Sequence, residues 1–256
     1  MSVKTALRVF EIIEAFAQEK QPLALSEMAR LLDMPVSSCL GLIRTLEARG
    51  YLYETGRRQG YYPTSRLLAM AQVIAAHDPV LDRVKPALQE LRDAARETVV
   101  FGKLREGGQV VYLEVLDAPQ SIRYTAAAGE TRAAYANSLG RALLSTLTAQ
   151  ARSQVLKGMK LARLTDATLT SAAELGREID GSAARGWYGN LGESIPDLAG
   201  IAWPVHIGGQ AYAVSVAGPR YRVEPRIEEI AAMLRAACRS IEDPQRIAAA
   251  PSSAKP

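Results

Sequence analysis

Two cysteines, Cys39 and Cys238, and two histidines, His77 and His206, are all that 256 residues hold of the side chains that most often cross-link a chain or bind metals. The cysteines lie far apart and neither belongs to a C-x-x-C pair, which excludes a disulfide framework and a thiolate metal site and leaves two small buried thiols as the expectation. No apolar run approaches the roughly 18–20 residues that span a bilayer. The start, Met1-Ser2-Val3-Lys4-Thr5, lacks the apolar core and small-residue cleavage site of a secretory signal, so a cytoplasmic protein with no membrane partner is expected. There is no G-x-S-x-G elbow, no phosphate-cradling glycine loop behind a strand, and no His/Asp/Glu spacing suited to a metal. Neither a cofactor nor an enzymatic activity is expected. Asp166, Glu174, Glu178 and Asp180 read as a solvated loop and helix face.

What is present is an ordinary globular balance, 48% hydrophobic and 23% charged, with 31 basic against 27 acidic side chains. At about 150 residues per domain the length fits one large domain or two ordinary ones. A net charge of +4 permits a polyanionic partner without demanding one.

Helical periodicity places Ala6, Phe10, Ile13 and Ala17 on one face of a first helix, from about Val3 to Gln18. A second helix is expected after Ser26 as N-cap, with Leu25, Met28, Ala29 and Leu32 inward. Pro35 breaks the chain before a third helix, Val36 to Arg49, that buries Cys39, Leu42, Ile43 and Leu46 and stops at Gly50. Two β-prone runs, Tyr51–Glu54 and Tyr61–Pro63, flank a turn-rich basic tip holding Arg57 and Arg58, which is a hairpin pattern. The pattern gives four segments: a winged helix-turn-helix over 1–64, a linker helix over 65–78, an α+β domain with an antiparallel sheet over 79–243, and a disordered tail over 244–256. In the third segment, strands are expected at Val99–Leu104, Gln109–Val115, Ile122–Thr125, Trp187–Asn190, Ile201–His206 and Ala211–Val216. Helices are expected at Val80–Glu97, Leu139–Thr146, Ser171–Arg185 and Glu224–Glu242.

Three helices and a hairpin suit DNA, because a helix fits the major groove while its neighbour braces against the backbone. The third helix turns Ser37, Leu40, Gly41 and Arg44 outward. Ser37 and Ser38 in its first turn can meet phosphates, and Arg44 can reach a guanine edge or a phosphate. Arg57 and Arg58 can enter the minor groove, and Ser26 and Tyr62 complete the DNA-facing set. A basic turn in a metabolite-binding adaptor or dimerisation protein is the alternative reading. In the larger domain, Ser138-Leu139-Gly140 open a helix whose amides can hold a carboxylate.

The runs Thr5–Glu14, Leu25–Ala29, Met34–Ser38 and Thr45–Leu52, and then Tyr135–Leu144, Arg185-Gly186-Trp187, Ile201–Val205 and Val214–Pro219, resemble the IclR family of bacterial transcriptional regulators in colinear order. The resemblance implies a double-stranded DNA operator, a GAF-like domain binding a small organic effector, and a homodimer or homotetramer. It carries pocket roles onto Tyr124, Arg132, Ser138, Leu139, Asn190, Gly200, Ser215 and Ala217. Several positions depart from the family pattern: Val36 and Gly41 replace basic residues, Arg132 replaces a small apolar one, Asn190 an acid and Ala217 a hydroxyl. A repressor of a catabolic operon, controlled by a carboxylate, is the resulting expectation.

Overall fold

The structure, a computed structural model, describes residues 3–56 and 59–243; the wing-tip Arg57 and Arg58 and the expected tail 244–256 lie outside the described residues. The chain divides into two compact units, Met1–Asp78 and Pro79–Pro256.

The smaller unit runs α1 (Lys4–Glu19), α2 (Leu25–Leu31), α3 (Val36–Ala48), β1 (Leu52–Gly56), β2 (Gly60–Pro63) and α4 (Arg66–Ala75). β1 and β2 pair antiparallel, with Tyr53 opposite Tyr62, and Leu23 bridges to Tyr61 and ties the segment before α2 to the hairpin. Its core gathers Ile12, Phe16, Met28, Cys39, Ile43, Leu46 and Leu52. The inward face of α1 therefore differs from the periodic reading: Ile12, Ala15 and Phe16 are buried, and Phe10 stays exposed. Both stripes satisfy helical spacing, and packing against α2 and β2 selects one. Ser26 is not a cap either: Ala24 precedes the helix without any side-chain bond, and Ser26 lies exposed inside the first turn. α4 buries none of its residues within the described chain.

The larger unit contains α5 (Pro79–Ala95), β3 (Thr98–Arg105), β4 (Gln109–Leu116), β5 (Thr131–Ala133), α6 (Ser138–Ser145), α7 (Ala149–Gly158), α8 (Ala172–Arg185), β6 (Tyr188–Leu191), β7 (Leu198–Ile207), β8 (Gln210–Pro219), α9 (Arg220–Val223) and α10 (Ile227–Glu242). One antiparallel sheet runs β5-β4-β3-β8-β7-β6. Strand alternation gives it two unlike faces. Ile201, Val205, Val214 and Val216 meet α5 and α10, with Leu88, Leu91, Ile230 and Leu234 opposite them. The other face carries Ala202, Ala213 and Tyr112 and packs on α6 and α8 through Leu139, Leu143, Leu175 and Ile179. Both thiols are buried and free, and burial pushes both up from the usual cysteine range.

Three expectations need correction. Residues Ile122–Thr125 form no strand: the sheet edge beside β4 is taken by β5, and Tyr124 is held through its carbonyl by the buried Thr98 hydroxyl at 2.6 Å. α7 escaped notice because Leu156 is the single buried residue on it, which leaves almost no apolar period to read. The last helix starts at Ile227 rather than Glu224, after a tight turn at Glu224–Arg226 that contains Pro225.

Gly140 is required by close approach, since a Cβ there would meet the Ala134 backbone at 2.3 Å. Gly140→Ala should destabilise the larger unit by about 1–3 kcal/mol, as other overpacked sites do. Urea denaturation of the full chain, followed at Trp187 and Trp203, measures it.

Candidate functional site

On the small unit, α3 presents Ser37, Ser38, Gly41 and Arg44 to solvent, with Leu40 half-buried. Pro35 precedes the helix with no capping side chain, and its first turn carries no acid, so the free N–H groups and dipole leave that end electropositive. Arg44 makes no hydrogen bond or ion pair within the described residues. A Cβ on Gly41 would meet nothing within 4 Å, so the fold does not require glycine there and the helix surface stays flat beside Arg44. Tyr62 is placed differently from the rest of the expected set: its ring packs edge-on against Phe16, 6.0 Å between centroids, as part of the core rim.

On the large unit, a cavity of about 570 Å³ opens on the small-residue face of the sheet. Arg132 on β5 and Asn190 on β6 both line it, although these strands are opposite edges of a six-stranded sheet. Five strand spacings of about 4.8 Å would part them by roughly 24 Å on a flat sheet, so the sheet curls around the cavity. Gly200, Ser215 and Ala217 form its floor, and a Cβ on Gly200 would come within 2.9 Å of Ser138 Oγ. Glycine there lets the start of α6 press onto β7.

Of the expected pocket residues, Tyr124, Arg132, Ser138, Asn190, Gly200, Ser215 and Ala217 line the cavity, whereas Leu139 and Gly140 do not. Leu139 is fully buried in the core beneath, and the Gly140 amide donates to Asn137 Oδ1 at 3.3 Å, so it is not free for a ligand. Asn190 is already occupied: its Nδ2 donates to the Ala136 carbonyl at 2.7 Å and to Ser194 Oγ at 2.9 Å, while its Oδ1 accepts the Glu193 amide at 2.9 Å. Ser138 and Ser215 are buried yet have no hydrogen-bond partner for their hydroxyls among the described residues, and both face the cavity.

Behind the start of α6, outside the cavity lining, lies a buried ion pair. Arg141 is 1% exposed; its Nη1 donates to Glu193 Oε1 and to the Gly189 carbonyl, both at 2.7 Å, and its Nε donates to the Tyr135 carbonyl at 3.1 Å. Nη2 donates to the second Glu193 oxygen. Thr168 Oγ1 holds the Glu193 carbonyl at 2.6 Å. One guanidinium thus binds α6, the turn before it, β6 and the loop after β6.

One wall is a polar chain that the sequence reading missed. Asn137 Nδ2 donates to Tyr112 Oη at 2.7 Å, and the Tyr112 and Tyr124 hydroxyls are 3.3 Å apart. Burial, then the neighbouring Tyr124, pushes the Tyr112 phenol up, so it stays protonated. Asn137 was findable, because asparagine just before a helical run is a strong N-cap signal. Tyr112 was not, since one tyrosine within an apolar strand looks like core. Arg132 completes the wall; partial burial opposes its charge, but the Tyr124 hydroxyl and the Glu130 carboxylate favour the charged form. Arg123 and Asp197 also reach the cavity, and Leu164 and Ile195 give its rim apolar surface.

The family model for the IclR helix-turn-helix domain matches residues 5–56, and that for the bacterial transcriptional regulator IclR C-terminal domain matches residues 72–243. The HTH-type transcriptional regulator KdgR of Escherichia coli is 26% identical over 243 residues, covering 94% of this chain and 92% of its own. The HTH-type transcriptional regulator BhcR of Paracoccus denitrificans is 29% identical over 218 residues, 84% of this chain and 77% of its own. Among solved structures, an IclR homolog from Microbacterium hydrocarbonoxydans complexed with 4-hydroxybenzoate superposes with a TM-score of 0.76 at 23% identity, over 93% of this chain and 97% of that one.

Removing one partner of a buried ion pair strands the other charge, at a cost of about 3–5 kcal/mol. Arg141→Ala should therefore lower the midpoint of chemical unfolding by that much. Arg141→Ala combined with Glu193→Gln should be less destabilised than Arg141→Ala alone, a difference that equilibrium denaturation resolves.

Proposed function

This chain belongs to the IclR family of bacterial transcriptional regulators, and from that footing we propose that it represses a catabolic operon until a small organic acid enters the large unit's cavity. The observation that carries the effector half of this reading is the pair of serines, Ser138 and Ser215, that line the cavity and whose hydroxyls make no hydrogen bond among the described residues. Hydroxyls open to a cavity and not spent on the protein are free to bond a ligand or water. Arg132 and the start of α6 at Ser138 supply positive character for a carboxylate, and the apolar rim suits a hydrocarbon body. The Microbacterium homolog's 4-hydroxybenzoate, an aromatic carboxylate of fitting size, supports the same class.

On the DNA side, α3 enters the major groove, Ser37 and Ser38 meet phosphates and Arg44 reads a base; Ser26 and Gly41 belong to the same set, as do Arg57 and Arg58, which lie outside the described residues. A homodimer or homotetramer supplies the two half-site readers that a palindromic operator needs. The exposed apolar residues of the small unit, Leu7 and Phe10 on α1 and Leu68, Val73 and Ile74 on α4, support such self-association. Operator half-site spacing fixes how far apart two readers must stand, so an effector that changes their spacing changes DNA affinity.

A gel-shift assay with the intergenic DNA upstream of the chain's own gene, at two salt concentrations, tests the core of this reading. Salt-dependent binding that a panel of carboxylates weakens is the expected outcome, and absence of binding at low salt would leave a metabolite-binding adaptor. In the same assay Arg44→Ala should cost about 1–3 kcal/mol and relax discrimination at one base pair; uniform weakening would make it a phosphate contact. For the effector, hydrogen bonds to charged groups contribute roughly 1.5–3 kcal/mol, and a guanidinium half open to water belongs at the lower end. Arg132→Ala should weaken acid binding by about tenfold in calorimetry while leaving operator binding intact.

A further inference from the structure

The guanidinium assigned above to the effector's acid group is already engaged. Arg132 lines the cavity, but its Nη2 donates to the carboxylate of Glu130, two residues earlier, and its Nη1 donates to the Thr131 carbonyl at 3.2 Å. Glu130 is not among the cavity-lining residues. Its other oxygen accepts the Ala127 amide at 2.9 Å, and its backbone carbonyl accepts the Tyr112 amide at 2.9 Å, so its position is fixed by the turn at residues 127–130 and by β4. A carboxylate held outside the pocket thus occupies a cation inside it.

We propose that Glu130 is a built-in competitor for the effector's acid group, setting the affinity of the cavity by holding Arg132 until a ligand carboxylate displaces it. This rests on the reading of Arg132 as the acid anchor. The chemistry is an exchange of like for like: one carboxylate leaves the guanidinium and another takes its place, without net change of charge at Arg132. Both side chains are substantially exposed, so the pair is weak enough to yield. A fully buried pair such as Arg141–Glu193 could not serve in this way, because breaking it would strand a charge away from water. Glu130 also repels any anion approaching the rim, and that effect has the same sign as its hold on Arg132.

Glu130→Gln isolates the charge, since glutamine keeps the oxygen that accepts the Ala127 amide. The probe is acetate, titrated into the full chain and followed by NMR at the backbone amides of Ala133 and Ser138, with acetamide as the neutral control. Glu130→Gln should bind acetate about three- to fivefold more tightly than the unmodified chain and leave acetamide unaffected, in keeping with an exposed pair. In the Arg132→Ala background the same change should bring no tightening beyond twofold. Equal or weaker acetate binding by Glu130→Gln, or tightening that persists without Arg132, overturns the proposal while leaving Arg132 as anchor. Acetate binding unaltered by Arg132→Ala, or absent from every variant, overturns the anchor reading and this proposal together.

Discussion

The start of α6, which lines the cavity of the larger unit, is positioned by the pair between Arg141 and Glu193. A guanidinium has its donors in a fixed planar fork, and here they reach a carboxylate and two carbonyls from three separate segments. That geometry is satisfied by one placement of α6 against β6 and the loop after it. The pair's net contribution to stability is small, because taking both charges out of water costs nearly what their attraction returns. Its consequence is positional. It fixes Tyr135 and the start of α6 on one side and Glu193 on the other, and the Glu193 amide in turn orients Asn190. Asn190 then ties back to the Ala136 carbonyl, closing a loop of bonds that leaves Ser138 facing the cavity.

The sheet that forms the cavity floor divides its labour by residue size. Along β7 and β8, Ile201, Val205, Val214 and Val216 fill the face toward α5 and α10. The intervening Gly200, Ser215 and Ala217 leave room on the opposite face, where Pro219 and Leu198 border the cavity. Large side chains on one face and small ones on the other favour curvature toward the small side, which brings the sheet's two edges to one cavity. The face toward α5 and α10 is filled, while the opposite face is shared between a second core against α6 and α8 and the cavity.

Two kinds of ion pair coexist within this domain and serve opposite ends. Arg141–Glu193 is buried and cross-linked, and it holds a surface in place. Arg132–Glu130 is open to water and only two residues apart in sequence, which makes it exchangeable. Arg222 stands between these extremes: it grips the buried Glu97 at 2.6 and 2.9 Å and also donates to the Ile122 carbonyl at 2.9 Å. The segment that carries Tyr124 is thus held at Ile122 by Arg222 and at Tyr124 by Thr98, without being a strand.

The alternation of apolar residues, the punctuation by Pro35 and Gly50, and the colinear motifs from Thr5 to Pro219 were enough to read a winged helix-turn-helix followed by an α+β effector domain. Local patterns suffice there because helix and strand periods, turns and caps act within a few residues. The outward set on α3 was legible for the same reason, since each inward residue fixes its neighbours' directions. Only the tertiary structure decided which stripe of α1 is buried, because Phe10 and Phe16 both lie on periodic apolar faces and packing with α2 and β2 chose between them. It also decided that Gly140 and Asn190 spend their polar groups on the protein itself, while Ser138 and Ser215 keep theirs for the cavity. Hydrogen bonds between residues tens of positions apart leave no local pattern. The availability of a side chain for a ligand is what remains after the fold has taken its share.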